Sequence, residues 1–416
     1  MSETRFIDDE AGLRRLAQDL DGAPVIALDT EFLTEHTYYP RLCLVQIGTP
    51  EIAATVDPFT CGDLSPLAAL LGGPIVLAVH AGGQDLAILR RHLGHIPQQV
   101  FDTQIAAAFL GHGHSISYAR LVEACCSVQL KGSRAYTDWA RRPLEPDQLE
   151  YALDDVRYLL PVYERLAAGL QKRGRRHWAE SEFQQAREIA LRDAEPREQW
   201  RRLSGRRASR PRELSVLREL AAWREEEAQR RDRPRQRIIP DRVILELGRR
   251  APQRVEDLQG LRGFHPREIE RSGAAVIAAV RVGLDAPNDA MPRGRRPSRL
   301  ENDPQVSIAA ALANTYMNTR ARDMDLAPQL LANRKDLEAI IRLMAENGGA
   351  PPPVGEDVDG NGIGPIRLLD GWRREIVGDD VLRLLAGRIG LRVVVRQGGV
   401  DLVVEDQEGP SPGDAR

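Results

Sequence analysis

The hydrophobic positions of the first 170 residues alternate between short apolar runs and longer stretches with helical spacing. Four runs are short, rich in Val, Ile and Leu, and bounded by turn residues, which predicts β-strands. They are Val25 to Leu28, Leu42 to Ile47, Ile52 to Val56 and Ile75 to Val79. Strands that alternate with helices indicate an α/β sheet domain over residues 1–170.

The pattern changes after residue 170. A basic stretch at 171–210 predicts a helical connector, and residues 211–284 show no strand-like alternation. Apolar residues at helical spacing there predict an all-α domain. Its core candidates are Val216, Leu217, Leu220, Ile244, Leu245, Leu247, Leu258 and Leu261.

A proline- and charge-rich segment at 285–303 predicts a linker. Residues 322–340 weakly repeat residues 231–247, because in both an Arg-Asp pair leads through an apolar step to a charged turn and a helix. The repeat predicts a second, diverged helical domain at 304–405. We expect a disordered tail at 406–416.

Carboxylates follow the first predicted strand. Asp29 and Glu31 are two residues apart, so in an extended chain they project to one side. Two like charges placed together are unfavourable without a counter-ion, which favours a bound divalent cation. In isolation the pair also fits a simpler interpretation, loop residues that cap a neighbouring element.

Two further segments carry candidate ligands. Asp85 follows the fourth strand and a Gly-Gly turn, in the first turn of a predicted helix beginning near Gln84, where the helix dipole alone also favours a carboxylate. Tyr151 and Asp155 are four residues apart and share a helical face. Either could be ordinary surface decoration. Asp154 is an alternative to Asp155, and the four-residue spacing from Tyr151 selects Asp155.

The ordered set of Asp29, Glu31, Asp85, Tyr151 and Asp155 resembles the three motifs of the DEDD exonuclease superfamily, in the subgroup with tyrosine in the third motif. The stretches "YYPRLCLVQIG", "HAGGQDL", "FDTQIAAAFLG" and "YTDWARRPLEPDQLEYALDDVRYLLPVYERL" are similar to the ribonuclease D family. Residues after 210 resemble the helicase-and-ribonuclease-D C-terminal domain, HRDC. The chain departs from the family pattern at Gln84, where an acidic residue is common.

The resemblance implies a ribonuclease-H-like fold whose first three strands are antiparallel, followed by HRDC-like helical domains. It implies a 3′-5′ exoribonuclease that releases 5′-nucleotides from structured RNA such as precursor tRNA. Two divalent ions, Mg²⁺ or Mn²⁺, would be held by Asp29, Glu31, Asp85 and Asp155. Tyr151 would orient the attacking water, because a phenol with a pKa of about 10 is a poor base.

Charge is unevenly distributed along the chain. The formal net charge of −3 divides into −9 for residues 1–169, +9 for 170–285 and −3 for 286–416. The densest basic run, at 230–237, predicts RNA phosphate contacts through Arg230, Arg231, Arg233, Arg235 and Arg237. A solvated interhelical loop is the alternative for this run.

Other features of the sequence limit the class of protein to which this chain can belong. No apolar run reaches the length of a membrane span, and the N-terminus lacks a signal-peptide pattern, so we expect a cytoplasmic enzyme with no membrane partner and no obligate protein partner. Cys43, Cys61, Cys125 and Cys126 fit buried reduced thiols. The histidines of "GHGHS" fit a glycine-rich loop better than a zinc site.

Two rival functions stay open. A DNA 3′-5′ exonuclease of the same superfamily would share every catalytic residue, because a contact to the 2′-hydroxyl is what separates the substrates. A nucleic-acid-binding scaffold with a decayed site is the second alternative. The presence of all four acids and the tyrosine argues against decay.

Overall fold

The structure is a computed structural model, and it describes residues 2–130, 132, 137–203, 210–292, 300–301, 303–352, 366–396 and 399–407. Six strands form one mixed sheet in the order β1-β4-β3-β2-β5-β6. Their bounds are β1 Glu3–Ile7, β2 Val25–Leu33, β3 Arg41–Gly48, β4 Ile52–Val56, β5 Val76–Val79 and β6 Gln99–Asp102. Strands β2, β3 and β4 are antiparallel neighbours, and the other pairs are parallel. The antiparallel arrangement expected for the first three predicted strands is present, while β1 and β6 were not predicted.

Nine helices pack around this sheet in the described residues, the last of them in the connector. They are α1 Glu10–Asp19, α2 Pro58–Cys61, α3 Ser65–Leu71, α4 Gly83–Leu93, α5 Thr103–Ala108, α6 Tyr118–Cys126, α7 Pro146–Arg157, α8 Leu159–Lys172 and α9 Arg176–Leu191. The third-motif segment is divided into α7 and α8 at Tyr158. Pro161 explains the division, because it has no amide hydrogen to continue the α7 ladder.

Helices α7 and α8 pack on one face of the sheet at positions with small side chains. Ala27, Ala53 and Ala78 form one buried cluster with apolar residues of both helices. A Cβ atom added at Gly48 would lie 3.3 Å from the Cβ of Val156. The small residues therefore allow α7 to approach the strands closely, which matters for the acidic side chain that α7 carries.

Residues after the α/β domain form a helical domain, as the pattern predicts. It contains α10 Pro211–Arg231, α11 Arg235–Ile238, α12 Asp241–Arg250 and α13 Pro266–Asp285. The connector before it holds α9 and a 3₁₀ helix at Pro196–Arg202, whose Trp200 is buried in the core of this domain. All eight predicted core candidates pack in this cluster.

The C-terminal region contains α14 Pro304–Asp323, α15 Arg334–Glu346, α16 Gly371–Arg373, a π-helical turn at Arg374–Gly378 and α17 Asp379–Leu385. The expectation of a wholly helical domain at 304–405 was wrong at its end, where β7 Ile389–Arg396 and β8 Gly399–Asp406 form an antiparallel hairpin. Two valine-rich runs around a Gly-Gly pair explain the hairpin. Most of the tail expected at 406–416 lies outside the described residues.

The C-terminal region shares its hydrophobic core with the α/β domain. Buried residues of α14, α15 and α17 join a cluster that includes residues of α5, α6, α8 and α9. Glu182 of α9 is buried and accepts two hydrogen bonds of 2.7 Å from Arg373 and one of 2.8 Å from Arg367. A buried ion-pair network therefore joins the two regions.

The two long helices α10 and α14 are each followed closely by an aspartate in the left-handed conformation. Asp232 follows α10 with φ 47° and Asp325 lies two residues after α14 with φ 49°. Both aspartates contact the α/β domain, Asp232 through backbone amides and Asp325 through Arg173 at 3.1 Å.

Candidate active site

Strand β2 carries the first two acids inside the sheet. Asp29 pairs with Gln46 and Glu31 with Leu44 of β3, so the strand continues beyond the predicted end at Leu28. The pairing break between Glu31 and Phe32 is a bulge, a feature that often re-aims a side chain beside an active site. Both acids lie on the face that α7 covers.

Helix α7 brings the third acid to the same place. Carboxylate oxygens of Asp29, Glu31 and Asp155 all lie within 4.8 Å of one another. In the described residues this is the one group of three or more acidic, histidine or cysteine side chains with such spacing. The histidines of "GHGHS" are therefore not part of any such cluster in the described residues, and the alternative zinc site has no set of ligands among them.

Asp85 is not one of the three acids in this group, although its charge acts on Asp29 and Glu31. Its carboxylate accepts a hydrogen bond from the hydroxyl of Thr30, the residue between Asp29 and Glu31. Asp85 is 8% exposed and lies in the first turn of α4. Sequence reasoning missed Thr30, whose hydroxyl fixes the orientation of Asp85 from the opposite face of β2.

The acids perturb one another electrostatically. Burial, followed by the charges of Asp85 and Asp155, raises the pKa of Asp29 well above its ordinary value. Burial and then the charges of Asp29 and Asp85 raise the pKa of Glu31 to about 9. Burial also raises the pKa of Asp85, and burial with the charge of Glu31 raises that of Asp155.

Within the described residues the four acids have no compensating positive side chain, because none of them forms an ion pair with arginine, lysine or histidine. Crowded carboxylates without a counter-charge favour protonation or a bound cation. Carboxylate oxygens are the ligands that Mg²⁺ and Mn²⁺ prefer. The donor set therefore fits a hard divalent cation.

The neighbours on α7 have separate contacts. Asp154 pairs with Arg157, which also donates to Glu150 at 2.9 Å. Asp155 rather than Asp154 thus belongs to the acidic group. Tyr151 lies one turn before Asp155, with its ring centroid 6.2 Å from that of the buried Trp139. Trp139 supports the tyrosine ring and was not singled out from the sequence.

Two more residues near the site were missed. Asp102 accepts hydrogen bonds of 3.1 Å from the amides of Ala81 and Gly82, which fixes the turn that leads into α4 and Asp85. Tyr118 donates a 3.1 Å hydrogen bond to the carbonyl of Asp154. Burial and then the charge of Asp155 raise the pKa of Tyr118. Asp102 lies in the "FDTQ" stretch, part of a segment that resembles the ribonuclease D family. The sequence did not show that Asp102 fixes the turn before α4.

The five arginines predicted to bind RNA differ in their surroundings. Arg231 is nearly buried and pairs with Glu227 and with Glu268 at 2.8 Å. Arg235 pairs with Glu225, and the exposed Arg230 pairs with Glu227 at 2.6 Å. The other two, Arg233 and Arg237, are exposed and form no ion pair within the described residues. These two offer the most available charge in the run.

Other expectations concern the thiols and the membrane. The four cysteines are free, with Cys43, Cys61 and Cys125 buried and Cys126 half-buried. Burial raises the pKa of Cys43 and of Cys61 to about 11 in each case, which keeps these thiols protonated and unreactive. In the part of the chain that the structure describes, no helix has both the length and the apolar character needed to cross a bilayer.

Comparisons with known proteins agree with this geometry. Residues 4–171 match the 3′-5′ exonuclease family and residues 213–280 match the HRDC domain. A ribonuclease D of Sphingobium indicum is 35% identical over 393 residues, covering 93% of this chain and 96% of the relative. A ribonuclease D of Nitrobacter hamburgensis is 37% identical over 392 residues, covering 93% and 97%.

The same relationship extends to a solved structure. The crystal structure of Escherichia coli RNase D, an exoribonuclease involved in structured RNA processing, superposes with a TM-score of 0.78 at 30% identity. The match covers 92% of this chain and 98% of the bacterial enzyme. Sequence identity at this level over nearly the full length, together with both domain matches, establishes the family of this chain. The chain belongs to the ribonuclease D family of 3′-5′ exoribonucleases.

Proposed function

We propose that this protein trims the 3′ ends of structured RNA, such as precursor tRNA, by two-metal hydrolysis at the acidic cluster. The observation that carries the proposal is the group formed by Asp29, Glu31 and Asp155, whose oxygens lie within 4.8 Å of one another in a half-buried position. Asp85, fixed by Thr30, completes the donor set. When bound, two Mg²⁺ or Mn²⁺ ions would supply an activated water and charge stabilisation of the departing oxygen.

The protein side chains contribute position and hydrogen bonds. Asp29 and Glu31 point from one strand, and Asp155 meets them from α7, so a change in the packing of α7 alters the donor set. Tyr151, one turn from Asp155, would donate or accept a hydrogen bond that orients the water in line with the scissile phosphate. Its contact with Trp139 holds the ring on the site face of α7.

The remainder of the chain supports an RNA substrate. Residues 170–285 carry a net charge of +9, which complements a polyanion. Arg233 and Arg237 lie exposed in this region and are suited to phosphate contacts. Such contacts read shape and backbone rather than base sequence, which fits a structured RNA as substrate. We infer a domain division into the exonuclease domain, a connector, an HRDC domain and a second, diverged HRDC-like region.

The test is cleavage of a 5′-labelled RNA hairpin that carries a single-stranded 3′ trailer. We expect stepwise shortening from the 3′ end with Mg²⁺ or Mn²⁺, and loss of activity by more than about a thousandfold in Asp155→Asn. Asp154→Asn is the matched control, since it changes the neighbouring carboxylate that pairs with Arg157, and we expect it to keep most activity.

Further outcomes distinguish the alternatives. Equal shortening of a DNA copy would assign the protein to the DNA exonucleases. RNA binding without cleavage, with no heat on metal titration by calorimetry, would identify a scaffold. Similar activity of the two aspartate variants would refute the assignment of Asp155.

A further inference from the structure

The loop at 34–40 begins where strand β2 ends and therefore influences the position of Glu31. Glu31 lies two residues before the end of β2, next to the bulge at Phe32. Pairing with β3 resumes after the bulge at Phe32–Leu42 and Leu33–Arg41, so the loop joins two paired strand ends and its position bears on the irregular part of β2 that carries Glu31. The loop also has contacts outside the sheet.

The HRDC domain holds the loop through one carboxylate. Asp232 Oδ1 accepts hydrogen bonds from the backbone amides of Tyr38 at 3.1 Å and Tyr39 at 3.0 Å. Asp232 immediately follows α10 in the left-handed conformation, which aspartate tolerates better than most residues. Two adjacent amides of the exonuclease domain are thus bound by a single oxygen of the HRDC domain.

The side chain of Tyr38 is held by the same domain. Its hydroxyl donates to Glu225, which is fully buried and also accepts from Arg235 at 2.7 Å. Gln229 and Arg235 each donate to the tyrosine hydroxyl at 3.2 Å. Tyr38 therefore contacts a partly buried hydrogen-bond network of the HRDC domain that is centred on the buried Glu225.

A second active-site element also contacts the loop. The guanidinium of Arg91 lies 3.2 Å from the ring centroid of Tyr39. Arg91 is on α4, the helix that carries Asp85. The loop thus connects β2, with Asp29 and Glu31, to α4 and to the HRDC domain.

We propose that the HRDC domain, besides any contact with RNA, positions the active site by fixing the loop at 34–40 through Asp232, Tyr38 and Tyr39. The inference rests on the proposed function for its kinetic consequence. Loss of the contact lets the loop shift, and the shift reaches Glu31 through the bulge between Glu31 and Phe32, so the Glu31 carboxylate moves relative to the acidic group. The effect on turnover is then independent of RNA length, since it arises at the site and not in RNA binding.

Substitutions at Asp232 distinguish a role in positioning the active site from a role in the stability of the fold alone. Asp232→Gly removes the acceptor but suits the left-handed backbone, so the end of α10 stays unstrained. Asp232→Asn keeps an acceptor oxygen and also tolerates this conformation. Arg250→Gln, which breaks an exposed HRDC pair with Glu246, is the matched control.

Two measurements test the proposal. The first is kcat and KM on an RNA trinucleotide and on a long hairpin with a 3′ tail. We expect Asp232→Gly to lower kcat by about tenfold on both substrates with little change in KM. Asp232→Asn should restore most of the rate, and Arg250→Gln should match the unmodified protein.

The second is calorimetric titration of the full-length protein with Mn²⁺ alone. We expect a several-fold weaker affinity for Asp232→Gly than for Asp232→Asn, because Glu31 is misplaced. Equal Mn²⁺ affinity of the two variants, normal kcat of Asp232→Gly on the trinucleotide, or a defect confined to KM on long RNA would each overturn the proposal. If the unmodified protein cleaves no RNA, the proposed function fails, while the Mn²⁺ titration still decides the positioning role.

Discussion

Glu31→Gln should make the metal-free protein more stable at neutral pH and less stable when metal is present. Burial raises the pKa of Glu31 from 4.5 to about 9 in the folded protein. An acid with a raised folded pKa contributes full stability below its unfolded pKa, and this contribution is lost as the pH rises through the folded value. The metal-free protein therefore loses stability between about pH 4.5 and about pH 9.

The size of the effect follows from the pKa difference. At about pH 7.5 the unfolded chain ionises Glu31 and the folded protein keeps it protonated, over about three pH units. Each unit corresponds to about 1.4 kcal/mol, so the upper limit is about 4 kcal/mol. Water reaches the partly exposed side chain, and the measured difference should be about 2 kcal/mol. The glutamine side chain of the variant cannot ionise and avoids this loss.

Thermal unfolding monitored by fluorescence, with a chelator and then with Mn²⁺, measures both effects. With chelator at about pH 7.5 we expect Glu31→Gln to raise the Tm by about 4–8 °C, and at about pH 4.5 to leave it nearly unchanged. With Mn²⁺ the unmodified protein should gain more stability than the variant, because the variant lacks one ligand. The order of the two melting temperatures should then reverse.

Glu35→Gln is the matched control for that experiment. Its side chain is 80% exposed in the loop after β2, so removal of this charge should not change the Tm. Equal melting temperatures of the unmodified protein and Glu31→Gln in chelator, at both pH values, would show that the acids do not destabilise one another. The electrostatic argument for a cation site would then be wrong.

Three other substitutions test the packing and the chemistry. Gly48→Val should reduce kcat by more than about tenfold, because the new side chain meets Val156 and pushes α7 and its acid away from the sheet. Glu182→Ala should cost about 3 kcal/mol of unfolding free energy, measured in urea, because it leaves Arg373 buried without its carboxylate. Tyr151→Phe should lower kcat by about tenfold or more without changing KM, measured on the RNA hairpin.

For each of these three substitutions, a specific result would contradict the prediction. Normal turnover of Gly48→Val would mean that α7 does not need its close approach to the strands. Glu180→Ala, which breaks an exposed pair with Arg176, should be nearly neutral, and equal losses for it and Glu182→Ala would contradict the buried-network argument. A rise in KM with normal kcat for Tyr151→Phe would indicate substrate binding instead of water orientation.

The local spacing of apolar residues was sufficient to predict most of the helices and strands. The run at Ile52–Val56 forms a strand with the predicted bounds, and the helix predicted near Gln84 begins one residue earlier. Apolar spacing also identified the core of the helical domain. These features depend on local periodicity, which the chain displays directly. The hairpin at 389–406 has the same local signal in its two valine-rich runs, and the helical expectation that followed from the repeat was wrong there.

The candidate acids were also visible in the sequence, because residue type and spacing are local. The environment of these acids was not visible in the sequence. The extension of β2 through Asp29 and Glu31 depends on pairing with β3, and the pKa of Glu31 depends on burial under α7. No pattern within β2 records how closely another helix approaches it.

What the sequence by itself determined is the order of elements, the amphipathic cores and the set of chemically suitable acids. Tertiary structure alone decided which side chains meet: that Asp155 reaches Asp29 and Glu31, that Thr30 holds Asp85, and that Asp232 binds the loop after Glu31 from 194 residues away. The physical reason is that secondary structure follows local periodicity. A site requires contacts between segments distant in the chain, and these depend on how the packed elements approach one another.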